Sequence, residues 1–154
     1  MLQIDDIHFA WMLGEAAAPA AGLRLPAGGV DTPEILGIVR GMTRRLHAGG
    51  SRGSWMMVSH GEVVGLCSFK QPPKDGAVEI GYASRPPIAG RGHASRAVAA
   101  MLDCIRADPA LRRVTAATAI TNIASQRVLA RNGFGRTGSD PDDGGLVFWT
   151  HDLG

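Results

Sequence analysis

The chain has 154 residues, of which 45% are hydrophobic and 19% are charged, and its formal net charge is +2. This length and balance suit a single globular domain spanning residues 1 to 154, with a substantial buried core. The mild basicity suits a polyanionic cofactor. It is too weak to indicate nucleic acid, because the basic residues are scattered and are not interleaved with aromatic ones.

Several features predict a cytoplasmic protein without a membrane partner. No apolar run reaches the roughly 18 residues that a membrane-spanning helix needs. The first residues include Asp5 and Asp6 and no basic leader, so we expect no signal peptide. Cys67 and Cys104 show no spacing typical of a disulfide or metal site, and we expect both thiols to be buried. The histidines likewise form no metal-binding pattern, so no metal is expected.

The N-terminal third predicts a very short strand, two helices and a loop between the helices. The first helix is expected over residues 5 to 17, with an acidic residue as its cap. Residues 18 to 29 are rich in Ala, Gly and Pro and predict the loop. Thr32 is typical of a helix cap and Pro33 of a first helical position, so a second helix begins there. Its apolar stripe ends at Gly49.

The rest of the chain alternates between extended and helical patterns. His60 and Gly61 form a two-residue turn that is typical of a β-hairpin, and a third strand extends this hairpin into a meander. A glycine-containing loop, a helix and a near-continuous apolar strand follow, and we expect this strand to be buried on both faces. The predicted strands cover residues 2–4, 54–59, 62–70, 77–84, 114–120, 134–138 and 146–152, and the later helices end near residues 107 and 132.

One loop is more informative than any other part of the chain. Residues 90 to 95 read Gly-Arg-Gly-His-Ala-Ser and stand between a predicted strand and a predicted helix. Small residues let the backbone approach an anion, and the first N–H groups of a helix have no intrahelical partner. A P-loop would need a lysine here, and a dinucleotide fingerprint would need glycine in place of Ser95. The loop therefore predicts a phosphorylated cofactor of another class.

Two further motifs flank this loop. Glu79-Ile80-Gly81-Tyr82 precedes it, and Asn122-x-x-Ser125-x-x-Val128-Leu129-x-Arg131-Asn132-Gly133-Phe134 follows it. In order and spacing, residues 54 to 153 resemble the GNAT superfamily of acetyl-coenzyme A-dependent N-acetyltransferases. The details are most similar to the branch that acetylates the N-terminal amines of ribosomal proteins. The resemblance implies an α/β (α+β) GNAT fold, with a mixed, mostly antiparallel central sheet flanked by helices. It also implies acetyl-coenzyme A as co-substrate and no metal.

The resemblance also implies a set of cofactor-binding residues. Backbone N–H groups of the loop would hold the pyrophosphate, and the helix that follows would contact the pantetheine arm or the thiol. The third strand of the meander would splay away from its neighbour and expose N–H groups to the thioester oxygen. The residues implied are Tyr82, Ala83, Arg91, Gly92, His93, Ala94, Ser95, Asn122 and Ser125.

Direct attack of an amine on the thioester is the chemistry that the resemblance implies. Glu79 is the candidate general base, acting directly or through one water, although it could instead be a solvent-facing or salt-bridged residue. Ser125 could relay a proton to the leaving thiolate. The attacking amine must first lose its proton. An α-amine, with a pKa of about 7.7 to 8.0, depends less on a general base for this than a lysine amine with a pKa of about 10.4.

The sequence departs from the family pattern at two positions and leaves the acceptor open. The loop often begins with Gln or Arg where this chain has Ala89, and a tyrosine acid often stands where it has Leu129. The acceptor could be a peptide N-terminus or a small molecule such as a polyamine, amino acid or antibiotic. The chain could instead be a coenzyme A-binding sensor without catalysis. We expect a monomer or homodimer without a nucleic-acid partner.

Overall fold

The computed structural model describes residues 1–83, 92–140, 142 and 144–154. These residues form four helices and seven strands. The helices are α1 Asp6–Met12, α2 Pro33–Ala48, α3 His93–Arg106 and α4 Ile123–Arg131. The strands are β1 Leu2–Ile4, β2 Ser54–Ser59, β3 Glu62–Phe69, β4 Ala77–Ala83, β5 Arg113–Ala119, β6 Gly135–Asp140 and β7 Leu146–Asp152.

The strands form one mixed sheet in the order β1-β2-β3-β4-β5-β7-β6. β1 to β4 pair as an antiparallel meander, and β5, β7 and β6 form a second antiparallel group. β4 and β5 join the two groups as a parallel pair, with α3 in the connection between them. A parallel neighbour requires such a crossover, because a tight turn can only reverse the chain. The predicted mixed, mostly antiparallel sheet is confirmed.

Local signals in the sequence explain where several elements begin and end. The Thr32 hydroxyl accepts a hydrogen bond from the Ile35 amide at 3.3 Å, and Pro33 follows it at the first position of α2. His60 and Gly61 both have positive φ, at 51° and 79°, as the turn between β2 and β3 requires. Gly133 ends α4 with a φ of 82°. These boundaries agree with the sequence predictions.

Helices cover both faces of the sheet and give it two cores. Trp55 and Met57 of β2 belong to the core beneath α3, whereas Met56 between them belongs to the core beneath α1 and α2. Side chains alternate along a strand, so the two cores lie on opposite faces. The α3 core includes Val98, Met101, Ile105, Val114 and Leu129, and the other includes Phe9, Leu36, Val63 and Leu66.

Three expectations about local structure and burial are wrong. The first helix ends at Met12 instead of residue 17, because the chain turns into the left-handed region at Gly14, where φ is 78°. β5 alternates between buried and partly exposed residues, because one face opens into a cavity instead of packing under a helix. Cys67 is buried as expected, but Cys104 is partly exposed because it lies at the edge of the face of α3 that meets the core.

Among the described helices, none has both the length and the apolar character that crossing a bilayer requires.

Candidate active site

The two halves of the sheet part at the junction of β4 and β5. These strands pair only from Ala77 opposite Arg113 to Glu79 opposite Thr115. Beyond this point β4 continues alongside β3 as far as Ala83, and β5 continues alongside β7. The opening leaves backbone groups of β4 without a partner on β5, which is the splay that the resemblance implied.

Strand geometry shows which backbone groups of β4 face this gap. The Lys70 amide donates to the Glu79 carbonyl at 2.9 Å, so these two residues form a hydrogen-bonded pair of the antiparallel β3–β4 ladder. Backbone groups alternate in direction along a strand. Ile80 and Tyr82 therefore direct their N–H groups towards the β5 side, and Ala83 directs its N–H towards β3. The Ile80 N–H completes the parallel pairing of Glu79 with Thr115, so the N–H that faces the gap is that of Tyr82. Of the two N–H groups predicted to contact the thioester, that of Tyr82 faces the gap and that of Ala83 does not.

A cavity of about 350 Å³ occupies the gap and extends beneath α2. Its walls come from α2, from the meander, from the second half of β5 and from the start of α4. The residues that line it include Ile35, Ile38, Val39 and Met42 of α2, Ser68, Lys70, Ile80, Gly81 and Tyr82 of the meander, residues 116 to 119, Asn122 and Ser125, with Asp31 and Leu66. The cavity therefore brings together Tyr82, Asn122 and Ser125, three of the predicted site residues.

Tyr82 connects the two sides of the gap. Its hydroxyl donates a hydrogen bond to the Ser125 carbonyl oxygen on α4, at 3.0 Å. Burial of the ring raises the pKa of Tyr82 to about 12. The phenol is therefore neutral at physiological pH and a poor proton donor, so its contribution is to hold α4 at a fixed distance from β4.

The start of α4 is held by two amide side chains. The side-chain oxygen of Asn122 accepts a hydrogen bond from the Ser125 amide at 3.1 Å and caps the helix. Gln126 donates from its amide nitrogen to the carbonyls of Ala119 and Ile120, at 3.3 and 2.9 Å. These bonds fix the turn that carries Asn122 and Ser125 into the cavity wall. The sequence analysis did not single out Gln126.

The first turn of α3 carries the described part of the glycine loop. Gly92 precedes the helix with a φ of 76°, a left-handed conformation that glycine adopts without strain. His93, Ala94 and Ser95 form the first turn, whose N–H groups point towards the region before the helix. The His93 ring nitrogen Nδ1 lies 2.9 Å from Nη2 of Arg96. Arg91, which is also predicted to bind the cofactor, lies outside the described residues.

Asn132 connects α4 to this turn of α3. Its amide nitrogen donates to the carbonyl and the hydroxyl oxygen of Ser95, both at 3.2 Å, and to the Val128 carbonyl at 2.9 Å. The C-terminal end of α4 therefore fixes the first turn of α3. The sequence showed Asn132 only as one letter of a motif, since a contact between residues 37 positions apart leaves no local pattern.

Glu79 lies at the last position of β4 that pairs with β5. Its carboxylate lies 3.7 Å from the Lys70 ammonium, and its side chain is one-third exposed. Glu79 is not among the described residues that line the cavity. This placement fits the salt-bridged alternative, and the role of Glu79 as a base stays a prediction.

The model of the acetyltransferase (GNAT) domain family matches residues 30–135. The match covers more than half of the chain and contains all three motifs that carried the resemblance. The chain belongs to the GNAT acetyltransferase family. The family assignment made from the motifs is therefore confirmed.

Solved structures of GNAT proteins share the fold. The aminoglycoside acetyltransferase AAC(6')-Ib in complex with coenzyme A is 14% identical, with a TM-score of 0.69 over 97% of this chain and 92% of that one. RimL, a ribosomal L7/L12 alpha-N-protein acetyltransferase in complex with coenzyme A, is 19% identical, with a TM-score of 0.66 over 95% and 82%. A GNAT acetyltransferase from Bacillus anthracis is 22% identical, with a TM-score of 0.61 over 82% and 78%.

Other alignments cover less of the neighbour. The chain spans 63% of AAC(6')-Ib solved with ribostamycin and coenzyme A, and 65% of the same enzyme solved with kanamycin and coenzyme A. Comparison with curated proteins gives no significant sequence match.

At the position where many GNAT members have a tyrosine acid, this chain has a residue that cannot act in catalysis. Leu129 is fully buried in the α3 core and carries no polar group. The Tyr82 hydroxyl reaches the same helix from β4, where it donates to the Ser125 carbonyl oxygen.

Proposed function

We propose that the chain is an N-acetyltransferase that transfers an acetyl group from acetyl-coenzyme A to a primary amine, with a peptide N-terminus as the acceptor. The amine attacks the thioester directly, with both substrates bound. The observation that carries this proposal is the separation of β4 from β5 beyond Glu79 and Thr115. It leaves an opening in the sheet with a cavity lined by Tyr82, Asn122 and Ser125.

The residues around the gap suit a coenzyme A thioester. The left-handed Gly92 lets the backbone bend towards a diphosphate, and the first turn of α3 presents N–H groups and the positive end of a helix dipole. We assign the pyrophosphate to residues 91 to 95 and the pantetheine arm to Asn122 and Ser125. The structural neighbours solved in complex with coenzyme A support this choice of cofactor.

The backbone of β4 would stabilise the charge that develops during transfer. The Tyr82 N–H points into the gap, where it can donate to the thioester oxygen as negative charge accumulates there. A donor that is already oriented costs little reorganisation during the reaction. The peptide backbone can supply this interaction whatever the side chain, so the unusual residue at Leu129 does not affect it.

The leaving thiol needs little acid catalysis. Its chemistry resembles that of a cysteine thiol, with a pKa of about 8.5, so it can depart as a thiolate near neutral pH. Ser125 lies at the cavity wall and is assigned to hydrogen-bond this thiolate. Tyr82 is not assigned as an acid, because its pKa of about 12 makes proton transfer to such a thiolate unfavourable.

The attacking amine must be neutral. A peptide α-amine has a pKa of about 7.7 to 8.0, so an appreciable fraction is neutral at physiological pH without a strong base. We assign Glu79 to accept the proton through one water, since its carboxylate is not part of the cavity wall in the described residues. RimL, which its name describes as acting on an α-amine, supports this class of acceptor.

Release of free thiol from acetyl-coenzyme A in the presence of N-terminally free peptides tests the proposal. Amine-dependent release, with acetylated peptide found by mass spectrometry, is expected. Blocked peptides with the same sequences are the matched control and should give no release. Binding of coenzyme A without turnover of any amine would instead indicate a sensor.

A further inference from the structure

The wall that α2 contributes to the cavity is apolar and open. Ile35, Ile38, Val39 and Met42 recur at the spacing of one helix face, and all four line the cavity. Ile35 is 40% exposed and Ile38 is 54% exposed, although both are large aliphatic residues. The core-facing side of the same helix is formed by Leu36 and Leu46, which are 2% exposed. Val39 also packs against the core beneath α1 and α2. The part of this wall that the core does not cover is therefore formed by Ile35, Ile38 and Met42.

Charge in this cavity is sparse. Among the described lining residues, Asp31 is the one carboxylate and Lys70 the one cation. An oxygen of Asp31 accepts a hydrogen bond from the Thr32 amide at 2.7 Å, which fixes the carboxylate just before α2. Lys70 lies 3.7 Å from Glu79. One oriented carboxylate complements one ammonium, and it does not complement a molecule with several positive charges.

The length of the apolar face indicates the size of the acceptor. Ile35 and Met42 are seven positions apart, which is about 10 Å along a helix axis at about 1.5 Å per residue. An extended peptide covers this distance with about three residues, at about 3.3 Å each. A single small amine would cover only part of it.

We propose that the acceptor is a peptide whose first residues carry bulky aliphatic side chains, with those side chains on Ile35, Ile38 and Met42 and its α-ammonium drawn in past Asp31. This proposal rests on the proposed function and specifies its acceptor. Aliphatic side chains lose water-exposed surface on this face, so they contribute to binding in proportion to the apolar area that they bury. A charged or very small first residue gains no such contact.

The test compares tripeptides that begin with Leu or Ile against otherwise identical tripeptides that begin with Gly, Asp or Lys. The expected result is a kcat/KM at least about tenfold higher for the aliphatic peptides, which matches burial of most of one such side chain. Isoamylamine and a polycationic aminoglycoside complete the panel. If either of these is turned over as efficiently as the Leu peptide, the peptide assignment is wrong.

Two variants test whether the preference for aliphatic peptides depends on α2. Ile38→Ser should raise the KM of the Leu peptide about tenfold and bring the ratio of kcat/KM between the Leu and Gly peptides close to one. Ile7→Ser is the matched control, because Ile7 on α1 is also 54% exposed but does not line the cavity. Equal effects of the two variants, or no preference for aliphatic peptides, would overturn the proposal.

Failure of this proposal is distinguishable from failure of the proposed function. Thiol release that is equally fast with Gly and Leu peptides contradicts the aliphatic acceptor alone. Absence of thiol release with every amine in the panel contradicts both.

Discussion

The hydroxyl of Tyr82 donates a hydrogen bond to the Ser125 carbonyl oxygen and thereby links β4 to α4 at the gap in the sheet. Tyr82 is the single tyrosine of the chain. Its backbone faces the gap, and its phenol holds the helix whose first turn forms the opposite wall. One residue therefore holds the two walls of the gap together and carries the N–H that we propose as the oxyanion donor.

Tyr82→Phe should reduce kcat only a few-fold and leave the shape of the pH–rate profile between pH 6 and 9 unchanged. The variant removes one hydrogen bond, of the order of 1 kcal/mol, and keeps the backbone N–H that we assign to the thioester oxygen. Steady-state rates across this pH range are the measurement. If the variant lost a limb of the profile, or lost activity by several orders of magnitude, the phenol would be a proton donor after all.

Alkaline pH should destabilise the fold from about pH 9 upwards. Burial raises the pKa of Cys67 from 9.0 to about 12 and that of Tyr82 from 10.0 to about 12. Well below pH 9 both groups are protonated whether the chain is folded or unfolded, so these two groups do not alter stability there. Between pH 9 and 12 the unfolded chain loses these protons first, and the free energy of unfolding falls as pH rises.

Urea unfolding at pH 8 and pH 11 measures this loss. Tyr82→Phe should lose less stability between the two pH values than the unaltered chain does, because one of the two groups no longer titrates. An identical loss in both proteins would show that the phenol does not contribute.

Gly92→Ala should raise the KM of acetyl-coenzyme A about tenfold. A Cβ at this position would lie 3.0 Å from Nη1 of Arg96, and the φ of 76° strains any residue with a side chain, by about 1 to 2 kcal/mol. The backbone must then move away from the geometry that we assign to pyrophosphate binding.

Gly50→Ala is the matched control for this variant. Gly50 has a φ of 78°, and a Cβ added there would meet nothing within 4 Å. It lies just beyond the end of α2, away from the gap. Both variants should lose similar stability on urea unfolding, but only Gly92→Ala should change the KM. Equal KM values would contradict the assignment of this loop to the cofactor.

Glu79→Gln should lower kcat/KM at pH 7 about tenfold and displace the acidic limb of the pH profile, if the carboxylate accepts a proton through water. Lys70→Met is the control, because it breaks the same 3.7 Å ion pair and keeps the carboxylate. Equal losses in the two variants would mean that Glu79 acts through the ion pair alone and is not the base.

Local signals made much of the fold predictable. The Thr32 cap and the His60–Gly61 turn each act within a few residues, and the structure places both as expected. The gap in the sheet could be inferred from the family motifs, because they identify a parallel crossover around α3.

Contacts between distant segments could not be predicted in this way. The bond from Asn132 to Ser95 joins two helices, and nothing in either segment indicates its partner. The periodicity of α2 shows that the helix has apolar positions, but it does not show which of them the sheet covers. Ile38 is a candidate site residue only because of its exposure and its place in the cavity wall, which the sequence does not reveal.

The most direct test of the central claim is thiol release from acetyl-coenzyme A with a Leu-initiated peptide, with mass spectrometry of the product. The account predicts amine-dependent release and a single acetyl group on the peptide α-amine. Binding of coenzyme A without release of thiol, with this peptide and with the rest of the amine panel, would contradict it.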